Sequence, residues 1–175
     1  MRAHFLSALV CLAALVFAAL VAPAAPARAQ APQPRYFDAI RNELRAMHIE
    51  AQCDSQGSVR AHCVFRQHGA SSNRDFTIHL VYSDESDTIY FFVEHYLSVP
   101  ANGPNAAAQL RRLMELNWEL LLGKLEWNSA DGEVRLAMIM NTDSNFDRRS
   151  FRSVVRGIAQ VADRYAIELG RSAGH

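Results

Sequence analysis

The chain has 175 residues with 18 basic and 18 acidic side chains, so its formal charge is zero. Nucleic-acid binding draws on a strong basic excess, and this balance gives no basis for it. Half of the residues are hydrophobic, which at this length is enough for one domain with a real core.

The chain opens Met1-Arg2-Ala3-His4 and continues into an uncharged run from Leu6 to Ala22. Ala27-Arg28-Ala29 places small residues at both key positions of an A-x-A cleavage site. A basic start, an apolar middle and a small-residue exit predict a secretory signal peptide over 1–29, cut before Gln30. The alternative is an uncleaved anchor. The apolar run is at the short edge for a bilayer span, and Pro23 and Pro26 follow it instead of a basic stop. Cys11 lies inside the run and not at its exit, which argues against a lipoprotein. The expectation is a periplasmic or secreted protein of 146 residues with no stable membrane insertion after cleavage. Without Arg2 and Arg28 its charge is −2.

Residues 30–34 read as a disordered lead-in, 35–170 as the domain and 171–175 as a frayed tail. Phe37, Ile40, Leu44 and Met47 recur at spacings of three and four, which predicts a short amphipathic helix. Four strand-like runs follow over about 48–53, 59–67, 75–82 and 88–97. They are separated by "DSQG", "HGASSN" and "SDESD", each rich in turn formers. Short connections favour an antiparallel meander.

The mature chain keeps Cys53 and Cys63, and an oxidising compartment favours their pairing. A hairpin centred near Ser58 sets them opposite each other, on the same face as Ala51 and Ala61. Opposed residues of antiparallel strands lie within disulfide reach. Closing a loop of this size stabilises by roughly 2–3 kcal/mol in the chain-entropy model. No CxxC is present and no His sits at ligand spacing from both sulfurs, so a metal-binding or reactive pair is the weaker alternative.

After Pro100 a helix is expected from about 105 to 122. Its inner stripe is Leu110, Leu113, Met114, Asn117, Leu120 and Leu121, and Gly123 is its stop. "KLEWN" and "EVRLAMIMN" form a hairpin around Ser129-Ala130-Asp131-Gly132. Ser144 to Asp147 reads as a capped helix start. The last helix carries Phe151, Val154, Val155, Ile158, Ala162, Tyr165 and Leu169 on one side and Arg148, Arg152 and Arg156 on the other. The order α-ββββ-α-ββ-α is that of an α+β domain, an antiparallel sheet with helices on one face.

Over 110–169 this order resembles the YbjN-domain family, which shares the fold of bacterial type III secretion chaperones. The residues that carry the likeness are "LRRLMELNWELLLG" with its internal Asn, the hairpin "GKLEWNSADGEVRL" and the long closing helix. The resemblance implies a small, non-enzymatic, protein-binding domain, often dimeric. Some relatives hold an extended partner segment. Secretion chaperones work in the cytosol, however, whereas this chain carries an export signal. A partner held in the periplasm is the compatible reading.

No reacting centre is legible. GxSxG, HExxH, P-loop and GxGxxG patterns are all missing. The mature histidines are His48, His62, His68, His79, His95 and His175. His79 and His95 lie in predicted strands and are placed to approach each other, but a metal site needs three or four converging ligands and no cluster supplies them. "SDESD" lacks the spaced oxygens and distal Glu of a calcium loop. No enzyme activity, cofactor or metal is expected.

Two places remain for a function. Asn117 on the inner stripe has the chemistry to bond free backbone where the chain enters the next strand, and Trp118 beside it is placed to cover the sheet edge; both could instead touch a ligand. The third and fourth strands are apolar on both faces. With Phe76, Ile78, Leu80, Phe91 and Val93 on one, the other carries His79, Val81, Tyr90, Phe92 and Tyr96. That second face is buried in the monomer, or a homodimer interface, or a groove for a polypeptide partner. A small-molecule or lipid carrier, with a cavity between sheet and helices, is the alternative to partner binding.

Overall fold

A computed structural model describes residues 32–143 and 145–173, with side chains up to Leu169. The signal peptide expected over 1–29, Ser144 and His175 lie outside the described residues. Helix α1 (Phe37–Ala46) leads into strands β1 (Ala51–Gln56), β2 (Arg60–Gly69), β3 (Arg74–Ser83) and β4 (Thr88–Ser98). Helix α2 (Ala106–Glu119), strands β5 (Lys124–Trp127) and β6 (Glu133–Asn141) and helix α3 (Arg148–Ala173) complete the chain. This is the expected order α-ββββ-α-ββ-α. The six strands form one antiparallel sheet in the order β1-β2-β3-β4-β6-β5.

The first strand starts later than its composition suggests. Met47 to Glu50 form the exit from α1, and His48 sits at φ 58° to turn the chain. The hairpin that follows turns at Gly57, φ 70°, and opposes Cys53 to Cys63. Their disulfide is formed, with a Cα separation of 4.1 Å. Ala61, Cys63 and Phe65 then point to one side of β2 because side chains alternate along a strand.

That side carries the core. Ile78, Leu80 and Tyr82 of β3, Ile89 and Phe91 of β4 and Leu136 of β6 are sealed there. Onto them α1 lays Phe37, Ile40 and Leu44, and α3 lays Phe151, Val155, Ile158 and Ala162. Burying each large apolar side chain contributes about 1.5–3 kcal/mol, so the two helices are held mainly by this stripe. Asp147 caps α3, accepting from the Arg149 amide at 2.8 Å and the Ser150 amide at 3.1 Å. The helix runs on to Ala173, past the tail boundary expected at 170.

The arginine row of α3 is not simply solvated. Arg152 Nε bonds Glu43 Oε2 at 2.6 Å and Arg148 approaches the same carboxylate at 3.4 Å. Glu43 is buried on α1, so its charge requires these partners. Arg156 alone of the three is left to solvent.

Candidate functional site

The helices lie on the core side of the sheet, and among the described residues none is laid over the other side. Four strands present a row of side chains there. His62 of β2, His79 of β3 and Phe92 of β4 stack in succession, with ring centroids 5.2 Å and 4.7 Å apart. Tyr90 tilts against Phe92 at 5.3 Å, and the Arg135 guanidinium of β6 lies 4.8 Å over the Phe92 ring. His62 Nε2 and His79 Nδ1 are 2.9 Å apart and share a hydrogen bond. His79 Nε2 comes within 2.9 Å of Glu94 Oε2 but is out of line for a hydrogen bond.

Charged groups close the rim. The Tyr90 hydroxyl donates to Glu126 of β5. Burial and that acceptor both push the Tyr90 pKa up. Burial works against the Glu126 charge, but the Tyr90 hydroxyl and Lys124 hold its carboxyl below the ordinary value. Arg135 bonds Glu133 at 2.8 Å, which likewise holds the Glu133 carboxyl down. The result is an open, flat face of half-buried rings with satisfied charges around it. Ile139, paired to Tyr90 on the neighbouring strand, stands 55% exposed at its edge.

Of the five side chains expected on this face, His79, Val81, Tyr90 and Phe92 are there and half-buried. Tyr96 is not. Between Val93 and Leu97 the strand takes two residues more than β6 opposite, and His95 sits at φ 47°. Within this bulge the alternation is broken. Tyr96 therefore enters the core, where its hydroxyl donates to the Ala162 carbonyl of α3 at 2.8 Å. The same bulge turns His95 out to solvent, bonded through its amide to Glu133. His79 thus meets His62 and not His95. Among the described residues no group of three or more His, Cys, Asp or Glu side chains converges as a metal site.

Helix α2 is the second place where expectation and structure part. Asn117 does what its position suggests. Its amide nitrogen donates to the Leu125 carbonyl at 3.1 Å and its oxygen accepts from the Leu125 amide at 2.7 Å. This clamps the end of α2 to the start of β5. It also fixes the rotation of the helix, with Leu113 and Leu116 buried. Met114 and Leu121, expected inside, are instead 68% and 98% exposed. Trp118 covers no edge and is 92% exposed. The helix stops at Glu119, before the expected end at 122, because Leu120 turns extended (ψ 116°) to bring the chain back to β5. Gly123 serves this return and not the helix end. It has φ 87°, and a Cβ there would meet the Ala137 carbonyl at 2.9 Å.

The exposed cluster of Met114, Trp118, Leu121 and Leu122 was legible as a surplus. Eight large apolar residues between 110 and 122 are more than one face of a four-turn helix can bury. The direction of the surplus was not legible, since it depends on the Asn117 clamp.

These features define an α+β domain with helices on one side of an antiparallel sheet and two uncovered apolar surfaces. Its fold is YbjN-like. It is similar to the crystal structure of YbjN from E. coli, a candidate transcription regulator, with a TM-score of 0.53 and 15% identity over 78% of this chain and 92% of that one. No protein-family model and no curated protein matches the sequence.

Proposed function

We propose that this chain is an exported, non-enzymatic polypeptide-binding domain, chaperone-like in action, that holds an extended partner segment on the open face of its sheet. The observation that carries the reading is that face itself. Tyr90, Phe92 and Ile139 offer ring and aliphatic surface with no helix laid over them among the described residues. Apolar surface bordered by satisfied charges is the usual composition of a partner site.

A groove of about 980 Å³ supports an extended occupant over a compact one. It runs from the open face, at Val64, Thr77 and Glu94, to the edge strand β1 at Ala51 and Gln52. Among the described residues β1 pairs only with β2, so its outer edge is suited to accept an added strand. The carrier alternative asks for room between sheet and helices. That space is filled by Ile40, Leu80, Phe91, Phe151 and Ile158, each under 2% exposed. Export rests on the leader composition, and the Cys53–Cys63 disulfide is compatible with it. The transcription-regulator description stays with the E. coli protein, since a likeness of this kind carries fold alone.

The test is an array of overlapping extended peptides from exported proteins, probed with the wild-type chain and with Ile139→Glu and Phe92→Ser. Ile139→Glu removes exposed surface and leaves the melting temperature in place. The expected result is peptide binding that falls about tenfold or more in both variants, as for a central interface residue. An array with no bound peptide, or variants that bind like wild type, would overturn the reading.

A further inference from the structure

We infer that the partner segment is acidic where it crosses the corner between α1 and the edge of the sheet. The inference rests on the proposal that the chain holds an extended polypeptide, and it adds the chemistry of that polypeptide. The groove of about 980 Å³ that leaves the open face reaches this corner. A smaller one of about 310 Å³ adjoins it on the side of α3, with His48, Ile49 and Gln67 common to both.

The two grooves are unequal in charge. Arg41, Arg45 and Arg66 line the larger and Arg156 the smaller, against two carboxylates, Glu50 and Glu94. Glu94 stands 2.9 Å from His79 Nε2 on the open face. Four guanidinium groups therefore share one corner with a single carboxylate, Glu50, that has no such neighbour among the described residues.

Local structure explains the gathering. Arg41 and Arg45 are four residues apart, so they share one side of α1. His48, at φ 58°, turns the chain beside them. Pairing of β1 with β2 begins at Ala51 opposite Phe65, so Arg66 is the first residue of β2 beyond it and the edge there is uncovered. Arg156 continues the arginine row of α3. Arg148 and Arg152 reach Glu43, whereas Arg156 lies one turn further on and stays exposed.

The partners of these arginines differ from those of the others. Arg35, Arg60, Arg112, Arg135 and Arg152 each pair with a carboxylate of the chain. Arg45 instead bonds the neutral Asn42 Oδ1, at 3.0 Å. Arg41 lies 3.7 Å from an Asp38 that is 75% exposed, and an exposed pair of this kind contributes little. Arg66 and Arg156 meet no carboxylate among the described residues. Like charges gathered without counter-charges raise the local potential and attract an anion. A carboxylate also matches the forked donors of a guanidinium. Between the cations the floor is apolar, with Leu44 and Phe65 buried beneath it. The segment that fits has acidic side chains alternating with aliphatic ones, since successive side chains of an extended chain point to opposite sides. A flat anionic bilayer meets protruding surface and not the floor of a groove. Nucleic acid asks for a basic excess that a chain of zero formal charge lacks.

Three peptide libraries, alike in length and apolar content and carrying Glu, Gln or Lys at the same positions, test the inference by fluorescence anisotropy with the full chain. The Glu library should bind about tenfold or more tighter than the Lys library, with Gln between them. Added salt should weaken the Glu library and leave the Gln library in place. Arg45→Glu combined with Arg66→Glu should reverse the order, and Glu50→Gln should tighten the Glu library. These side chains are exposed, so the circular dichroism melts of both variants should match wild type. Glu, Gln and Lys libraries bound alike would overturn this inference and leave the peptide-binding reading standing. An order unchanged in the Arg45→Glu, Arg66→Glu variant would also overturn it, by placing the charge preference elsewhere. No binding of any library overturns the peptide-binding reading and this inference with it. A chain that binds phosphatidylglycerol vesicles and no peptide overturns both in favour of a lipid surface.

Discussion

Helices α2 and α3 are both amphipathic, yet they relate to the rest of the chain in different ways. The 26 residues of α3 send one stripe, from Phe151 to Leu169, into the core, where Phe151, Val155, Ile158, Tyr165 and Leu169 are buried and Val154 is half-buried. The 14 residues of α2 divide their apolar side chains between an inner stripe, Leu113 and Leu116, and an outer one, Met114 and Trp118. The lesson is that apolar periodicity counts how much of a helix needs covering and does not say what covers it. In α3 nearly all of it is covered within the chain. In α2 the sheet supplies half, and Met114 and Trp118 of the other half stay exposed.

Mutations can break this contrast. The largest expected effect is in α3. Ile158 is fully buried against the sheet, so Ile158→Ala removes packed atoms and leaves a cavity. Urea denaturation should register a loss of about 2–5 kcal/mol. A loss under ~1 kcal/mol would mean that α3 is no better seated than the outer stripe of α2, and the contrast would vanish.

The second effect is in the clamp that orients α2. Asn117→Ala leaves the amide and carbonyl of Leu125 without the side chain that pairs both. Orphaned backbone groups cost about 1–3 kcal/mol in part-buried surroundings. Thermal melting should report that destabilisation, and hydrogen exchange at the Leu125 amide should accelerate with it. Exchange that stays slow would show that α2 is oriented by Leu113 and Leu116 alone.

What could be read from the chain follows the same division. Local rules sufficed for α3, for the Cys53–Cys63 hairpin and for the order of elements along the chain, because each depends on residues near one another in sequence, whereas the β4–β6 pairing that joins the two halves of the sheet does not. The apolar alternation of β3 and the first half of β4 also placed His79, Val81, Tyr90 and Phe92 correctly. Tyr96 escaped because the β4 bulge is set by pairing with β6, about 40 residues away, and His95 gives no warning that it will adopt φ 47°. Met114, Trp118 and Leu121 were visible as apolar residues but not as exposed ones. Their direction is decided by one amide, Asn117, meeting a backbone that arrives eight residues later. Similarly, Arg148 and Arg152 look like solvent-facing charge until α1 brings Glu43 beneath them. In each case the missing information is a contact between elements, which no periodicity encodes.

The smallest expected effect is the sharpest test of the contrast. Trp118→Ser deletes the bulkiest side chain of α2, and in a core position a Trp truncation would cost about 3–5 kcal/mol. Trp118 is 92% exposed, so in the isolated chain it loses almost nothing when it is removed, and surface changes of this kind stay within about 0.5 kcal/mol. The melt should be taken at a protein concentration low enough for single chains. There, wild type and Trp118→Ser should coincide to within that margin. A large loss at low concentration would place the indole inside the domain and close the second stripe. Coincident melts would show that the indole adds nothing to the stability of its own core, in contrast to the buried stripe of α3.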